Sequence, residues 1–424
     1  MKTTIELLQA HAQVSDYKIN IHQKESYELF FVKGKLETVR CTDTCDKEVT
    51  VYVDHDDYKG NAQFFIYPST TTEQIGELIE EAVAKALLIN NPKYELPQAE
   101  QGDYTVESNF SEQLPADLAA LIAKTVFNAN TDPAASLNSV EVFITKHTES
   151  IQNSRGLHKT QVRYDAMVEA IPTYNGAQQS VELYEQYNFS SLNLEEITKE
   201  IAGKMAEVKA RFQALKPDYA IACNVVLNKQ ELSELFSQIA SDLNYFAVYS
   251  HMNLYKKGDA IQKAPEGDKL GITMAGEAEG NVRSAKFDAD GLSLGSIRIV
   301  EDGKAVNYFG GNAYGQYLGE KPTGNLRCML VDIGSTDVAV FESGPYLEVI
   351  SMSGLQVDMN NDYIGGEIRL AYYHDGSKLI PVTGVSISGG LSDVLNHIAL
   401  SAKLGVHDGY IGPDKAILKN MKIF

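Results

Sequence analysis

Leu194, Ile197, Ile201, Met205, Val208 and Phe212 recur three and four residues apart, and Pro217 stops the run they belong to. That spacing predicts one long amphipathic helix near 193–215, because residues three and four apart share a helix face and a proline cannot continue the hydrogen-bond ladder. The chain changes character around this point. Before it, strand-like and helical stretches are mixed; after it, glycines and turn dipeptides cut the sequence into short strands. The expectation is two domains, since 424 residues exceed one ordinary core. We place an N-terminal α/β domain at 1–216, with a connector near 91–115, and a C-terminal β-rich domain at 217–424. The fold class expected is α+β, with a mixed sheet and helices first and a large antiparallel, barrel-like sheet second.

Local patterns fill in this plan. "YKINIHQ", "SYELFFVKGKLETVRC", "KEVTVYVDH" and "AQFFIYP" are rich in β-branched and aromatic residues and read as strands, with Gly34 as a hairpin turn. "TTTEQIGELIEEAVAKALL" reads as a helix opened by a capping box of Thr70 and Glu73. A helix is expected in "PADLAALIAKTVFNAN", then strands around "VEVFITKH", "TQVRYDAMVEAIP" and "SVELYEQYNF". Past Pro217, "YAIACNVVL" is a buried strand and "NKQELSELFSQIASDL" a helix with Asn228 as its N-cap. A last helix, "LSDVLNHIALSAK", precedes the strand "AILKNMKIF".

Several function classes are disfavoured by composition. A net charge of −20 opposes a direct nucleic-acid surface, which needs clustered Lys and Arg. No apolar run reaches the roughly 18 residues of a membrane span. The opening "MKTTIELLQAHAQ" reads as an amphipathic helix without a signal-peptide core. Four cysteines in so long a chain make no disulfide framework, so a reducing cytoplasm is the expected home.

The candidate chemistries are thin. Gly291-Leu292-Ser293-Leu294-Gly295 matches GxSxG, but a nucleophile elbow needs strand, turn, then helix. Here a strand follows, so Ser293 is read as a sheet residue. Cys41, Cys45 and His55 lack the second ligand pair of a zinc site. The "HDG" triplets at 374–376 and 407–409 are turns, whose His374 and His407 would have to meet in space to act together. "GGNAYGQYLG" lacks the Lys-Ser/Thr of a phosphate loop. The acidic pairs Asp288/Asp290 and Glu277/Glu279 read as solvated loop charges.

A set of motifs in order carries a resemblance. "FDADG", then "IVEDGKAVNYFGGNAYGQYLGEKPTGNLR", with "NSRG" at 153–156, "DYIGGEIRLAYYHDGSKL" and "GVSISGGLSDVLNHIAL", resembles the TldD/PmbA family, whose members also carry the name of modulators of DNA gyrase. The likeness spans most of the chain and is strongest after 217. It implies a two-domain fold, a dimer around an internal cavity and a link to zinc-dependent peptidase activity. TldD-type members carry HExxxH on the helix after the buried strand and a late ligand cysteine; PmbA/TldE-type members lack both.

An ungapped overlay puts Ser237, Gln238 and Asp242 where the catalytic subunit has His, Glu and His, and the last cysteine of all is Cys328. The resemblance therefore implies a PmbA/TldE-like, non-catalytic subunit with no catalytic, cofactor or metal residue of its own. Zinc is expected only in a TldD-like partner. That partner would form a heterodimer with this chain, a homodimer being the alternative, and extended peptide would be the substrate, bound by strand addition at exposed sheet edges. Two other functions stay open: a self-sufficient hydrolase built from His374, His407 and acidic loop residues, or a regulatory binding protein of the gyrase-modulator kind.

Overall fold

A computed structural model describes residues 2–177, 179–337, 340 and 344–424. Its first sheet is built on four long antiparallel strands: β1 (Asp16–Val32), β2 (Lys35–His55), β5 (Ala135–Asn153) and β6 (His158–Asn175). The spatial order is β3-β2-β1-β5-β6-β4, with β3 at Tyr58–Ile66 and β4 at Gln101–Thr105; β7 (Ser180–Glu182) and β8 (Glu185–Phe189) both pair with β6. Lys33 and Gly34 both take positive φ, the pair of conformations a two-residue hairpin turn requires, so Gly34 turns β1 into β2 as expected. The connector is not wholly extended loop. It contains β4, which runs parallel to β6.

Helices cover one face of this sheet. α1 (Lys2–Ala10) packs on α2 (Thr72–Ala86), and α2 lays Ile75, Ile79, Ala82 and Val83 on Ile19, Val49 and Val51. α3 (Pro115–Asn128) and α4 (Leu194–Gln213) lay Leu118, Ile122, Val126, Ile197 and Ile201 on Val140, Val142, Ala166 and Val168. The N-cap of α2 is Thr71, boxed with Gln74, one residue later than the sequence suggests. Thr70 is already engaged, its hydroxyl accepting from Tyr67 N–H at 3.0 Å. Asn193 caps α4 at the expected place.

Side-chain parity along β5 shows that the sheet has a second covered face. Val140, Val142 and Ile144 are buried on the helix side; from Thr145 onward, Thr145, His147, Ile151 and Asn153 are the buried ones. Alternate residues of a strand point to opposite faces, so burial has moved to the far face. β6 does the same, with Lys159 and Gln161 buried on one face and Ala166, Val168 and Ala170 on the other. What covers the far face is the C-terminal half of the chain.

That half opens with β9 (Asn224–Asn228) and α5 (Lys229–Asp242), with Asn228 accepting from Gln230 N–H at 2.9 Å as the N-cap. Two sheets sandwich α5. The first runs Lys304–Ala305, Ser296–Glu301, Ile272–Ala275, Cys328–Val331, Tyr410–Pro413, Leu404–His407; the second is centred on β9, Tyr346–Met352 and Tyr363–His374. Leu232, Leu235, Phe236 and Ile239 of α5 are fully buried between Ile272, Val300 and Met329 on one side and Val225, Leu347 and Ile368 on the other. Each sheet is antiparallel except for one parallel pair. The last helix stops at His397, because Ala399–Leu400 leaves to pair with Lys415–Leu418. No helix among the described residues is long and apolar enough to cross a membrane.

Candidate functional site

The FDADG turn is what joins the two halves. Phe287 is buried with Ile151 and Leu157 of the first sheet. Asp288 accepts from Asp290 N–H at 2.9 Å, Leu292 N–H at 3.0 Å and Asn325 N–H at 2.9 Å, so it holds its own turn closed and pins it to the Thr323-Gly324-Asn325 loop. Burial raises its pKa despite these donors. Asp290 meets Lys18 of β1 at 2.6 Å, and Asn20 donates to Ala289 C=O at 3.3 Å. Gly291 has φ +86° and sits so close that a Cβ would lie 2.2 Å from Leu157 Cδ2. Two of the acidic residues read as solvated are therefore structural: Asp288 is buried, and Asp290 is paired across the joint. Glu277 is taken up by Lys286 at 2.8 Å.

Ser293 belongs to the same joint. The fully buried Lys159 donates to Gly291 C=O at 3.0 Å and to Ser293 Oγ at 2.7 Å, and it pairs with Glu100 at 2.7 Å. Ser293 in turn donates its hydroxyl hydrogen bond to Glu100 at 2.9 Å. An ammonium that spends all three protons this way has no lone pair with which to activate the hydroxyl. Beside it, Gln161 accepts from Lys286 N–H at 2.8 Å and donates to Phe287 C=O at 3.3 Å.

The NSRG stretch anchors the start of β1. Asn153 caps its turn by accepting from Arg155 N–H at 2.9 Å and Leu157 N–H at 3.1 Å. Ser154 and Arg155 then converge with the buried Lys59 on Asp16, at 2.6, 2.9 and 2.9 Å.

Past the joint lie two cavities, one of about 580 Å³ lined by the C-terminal half alone and one of about 600 Å³ between the halves, that share Arg283, Arg327 and Asp408. The first lies against α5. Ser237 lines it, with Ser241, Asn244 and Tyr410. Gln238, the next residue, is exposed outside it, and Asp242 is buried, accepting from Leu254 N–H at 2.6 Å and Tyr255 N–H at 3.0 Å. The three overlay positions thus do not converge. The polar residues that α5 and the turn after it set on this wall, Ser233, Ser237, Ser241 and Asn244, are hydroxyls and an amide, which do not fit a catalytic zinc ion: such a site wants three imidazole, thiolate or carboxylate donors and a base. Nor are the two HDG histidines brought together. His374 stacks on Tyr346 and engages Gly344 C=O at 2.9 Å, whereas His407 ends the strand Leu404–His407 in the other sheet, where burial lowers its pKa.

Cys41 and Cys45 are exposed on β2, while His55 at its far end meets Ile89 C=O at 3.1 Å. In GGNAYGQYLG, Asn312 and Gln316 bind Glu95 C=O, both at 2.8 Å, so this segment holds the connector.

The second cavity lies against the far face of the first sheet and holds what the sequence reading missed. Strand register sets His22 of β1 opposite Glu149 of β5, and His147 opposite Arg163 of β6. His147 touches His22 at 2.9 Å and Asp165 at 2.7 Å; Arg163 bridges Asp165 and Glu149 at 3.1 and 3.2 Å. Burial pushes the carboxyls of Asp165 and Glu149 up, but His147 with Arg163 at Asp165, and Arg163 with Gln161 at Glu149, together outweigh it, and both end below the ordinary carboxylate range.

Comparison with known proteins agrees with this architecture. The family model of the PmbA/TldA metallopeptidase C-terminal domain matches residues 221–423. No curated protein sequence matches the chain. Among solved structures, TldE from Thermococcus kodakarensis superposes with a TM-score of 0.79 at 14% identity, covering 100% of this chain and 98% of that one. A proposed modulator of a DNA gyrase from Thermotoga maritima gives 0.76 at 17%, covering 100% and 99%. One from Bacteroides thetaiotaomicron gives 0.76 at 13%, covering 100% and 97%. At such identities these likenesses speak for the fold, and the family match speaks for the sequence. With the ordered motifs now seen to build the joint between its halves, the chain belongs to the TldD/PmbA family.

Proposed function

We propose that the chain is a non-catalytic, PmbA/TldE-like subunit of a TldD/PmbA-type zinc metallopeptidase complex that acts on unfolded peptides or small proteins. The observation that carries this reading is the α5 wall of the first cavity. Its polar residues, Ser237, Ser241 and Asn244, offer neither the nitrogen ligands nor the proton acceptor that a zinc peptidase needs. The whole-chain likeness to a TldE structure supports the same side of the family. In this reading a TldD-like partner brings the metal and the base, and this chain completes the chamber. Cavities of about 600 Å³ suit extended polypeptide and exclude a folded domain. All four cysteines are free, which suits a reducing compartment, and we place the complex in the cytoplasm.

Co-expression with a TldD-like chain carrying HExxxH tests the reading. Cleavage of an unstructured peptide is measured for each chain alone and for the mixture. This chain alone should be inert, and it should co-purify with the partner and raise its rate. Cleavage by this chain alone, or a partner that neither binds it nor responds to it, would overturn the proposal.

A further inference from the structure

Three donor atoms from two neighbouring strands meet in the second cavity. His22 Nε2 lies 2.9 Å from His147 Nδ1 and 3.7 Å from Glu149 Oε1, and all three lie within 4.8 Å of one another. The imidazole rings stack with centroids 5.2 Å apart. His147 faces Asp165 with its other nitrogen at 2.7 Å, and an ionised carboxylate can only accept. The Nε2 of His147 therefore carries a proton, and its Nδ1 shares a single further proton with His22. A divalent cation can take that proton's place. Tetrahedral coordination at about 2.0–2.1 Å per bond sets donors about 3.3 Å apart. Reaching it means widening the 2.9 Å contact and closing the 3.7 Å one by a few tenths of an ångström each, and bringing His147 Nδ1 and Glu149 Oε1, which lie within 4.8 Å, to the same spacing. His22 is half-buried and free to make that adjustment.

We propose that His22, His147 and Glu149 form a binding site for a divalent cation of the zinc class, with Asp165 orienting His147 and a fourth position open to the cavity. Two nitrogens and one carboxylate oxygen favour zinc, cobalt or nickel over magnesium or calcium, which prefer all-oxygen shells. A carboxylate that fixes the remote N–H of a histidine is the usual support of such a ligand. Gln161 donates to Glu149 Oε2 at 2.7 Å, so the oxygen turned to the histidines is Oε1. Arg163 donates to Oε1 twice, from Nε at 3.3 Å and from Nη2 at 3.2 Å, so the cation takes the place of the longer of these two bonds. Glu149 and Asp165 offset the positive charges of Arg163 and Lys24, which line the same cavity. This site departs from the expectation that the chain holds no metal of its own, and it lies apart from the α5 wall.

The test uses the full chain, stripped with a chelator, dialysed and titrated with cobalt(II) chloride. One cobalt per chain should bind with the intense visible bands of a four-coordinate ion, and one equivalent of zinc should displace it. His22→Ala and His147→Ala should each weaken binding at least 100-fold. Asp165→Asn should weaken it about 10- to 100-fold, and His374→Ala, at the end of a strand in another sheet, should leave it unchanged. Should His147→Ala fail to fold, the half-buried His22 decides. No cobalt binding by the wild-type chain, equal affinity in His22→Ala, or only the weak bands of a hydrated ion would overturn the site. None of these outcomes depends on a partner subunit or on peptide cleavage.

Discussion

Lys159 of the first sheet lies 2.7 Å from Ser293 of the C-terminal half, and the hydroxyl is the acceptor. The direction of that bond makes the GxSxG match a fastening. Lys159→Met removes three hydrogen bonds at a fully buried position and leaves Gly291 C=O without this donor. The expected loss is about 2 kcal/mol, measured by urea unfolding, a moderate figure because Glu100 is half exposed and regains water. Ser293→Ala should cost about 1 kcal/mol and leave any peptide-cleavage rate of the complex unchanged.

Gly291 and Gly34 both adopt positive φ, +86° and +74°, but only Gly291 has a neighbour where a Cβ would go. Gly34→Ala should cost about 1 kcal/mol, the strain of the left-handed backbone alone. Gly291→Ala adds a clash with the buried Leu157 and should cost at least about 1–3 kcal/mol more. Leu157→Ala in the same chain should recover part of that excess, and a double-mutant cycle by denaturant unfolding reads it directly.

Asp16 is pushed up by burial, but hydrogen bonds from Arg155, Ser154 and Lys59 outweigh that and hold its carboxyl below the ordinary 3.8. A depressed carboxylate contributes stability above the unfolded-state pKa and loses it as pH falls through the folded one. Asp16→Asn should therefore be less stable than wild type by about 2–4 kcal/mol at pH 7. The gap should shrink below about pH 4. Chemical denaturation at a series of pH values shows whether it does.

Glu231 behaves in the opposite sense. It is buried in the first turn of α5, one carboxyl oxygen has no partner, and burial pushes its pKa up from 4.5 to about 8. The folded chain then keeps a proton that the unfolded chain releases above pH 4.5, so stability falls as pH rises from there toward 8. Glu231→Gln should be more stable than wild type near pH 7.5, by on the order of 2 kcal/mol, and show no gain at pH 4. Thermal unfolding at the two pH values is the measurement.

Writing a full HExxxH into α5 should not create a peptidase. With Ser237→His, Gln238→Glu and Asp242→His combined, only position 237 faces the cavity, and the amides of Leu254 and Tyr255 lose their acceptor. The variant should unfold about 1–3 kcal/mol more easily and cleave no peptide. Turnover by the isolated variant would show that α5 can rotate its outer residues inward.

Legibility in the sequence followed the range of the forces involved. α4 and the Asn228 cap were readable because their cause lies within four residues. The capping box slipped by one residue because Thr70 and Thr71 are chemically alike, and only the Tyr67 contact separates them. β4 was hidden because its ladder partner, β6, lies more than fifty residues on. His22 and His147 stand 125 residues apart, and a search for helical spacings cannot see a pair that strand register creates. A signal was present nonetheless. Lys18-Asn20-His22-Lys24 and Lys159-Gln161-Arg163-Asp165 put a polar residue at every second position of a strand, as a sheet face turned to a wet cavity requires.

On β6 that alternation has a mechanical meaning. Lys159 and Gln161 grip the FDADG turn, and Arg163 and Asp165, the next two steps of about 6.8 Å per residue pair along the same strand, form the chamber floor. One rigid ruler therefore carries both the clasp and the floor. The second cavity cannot gape like a jaw without tearing the clasp, and Arg283, Arg327 and Asp408, which line both cavities, mark where the two meet.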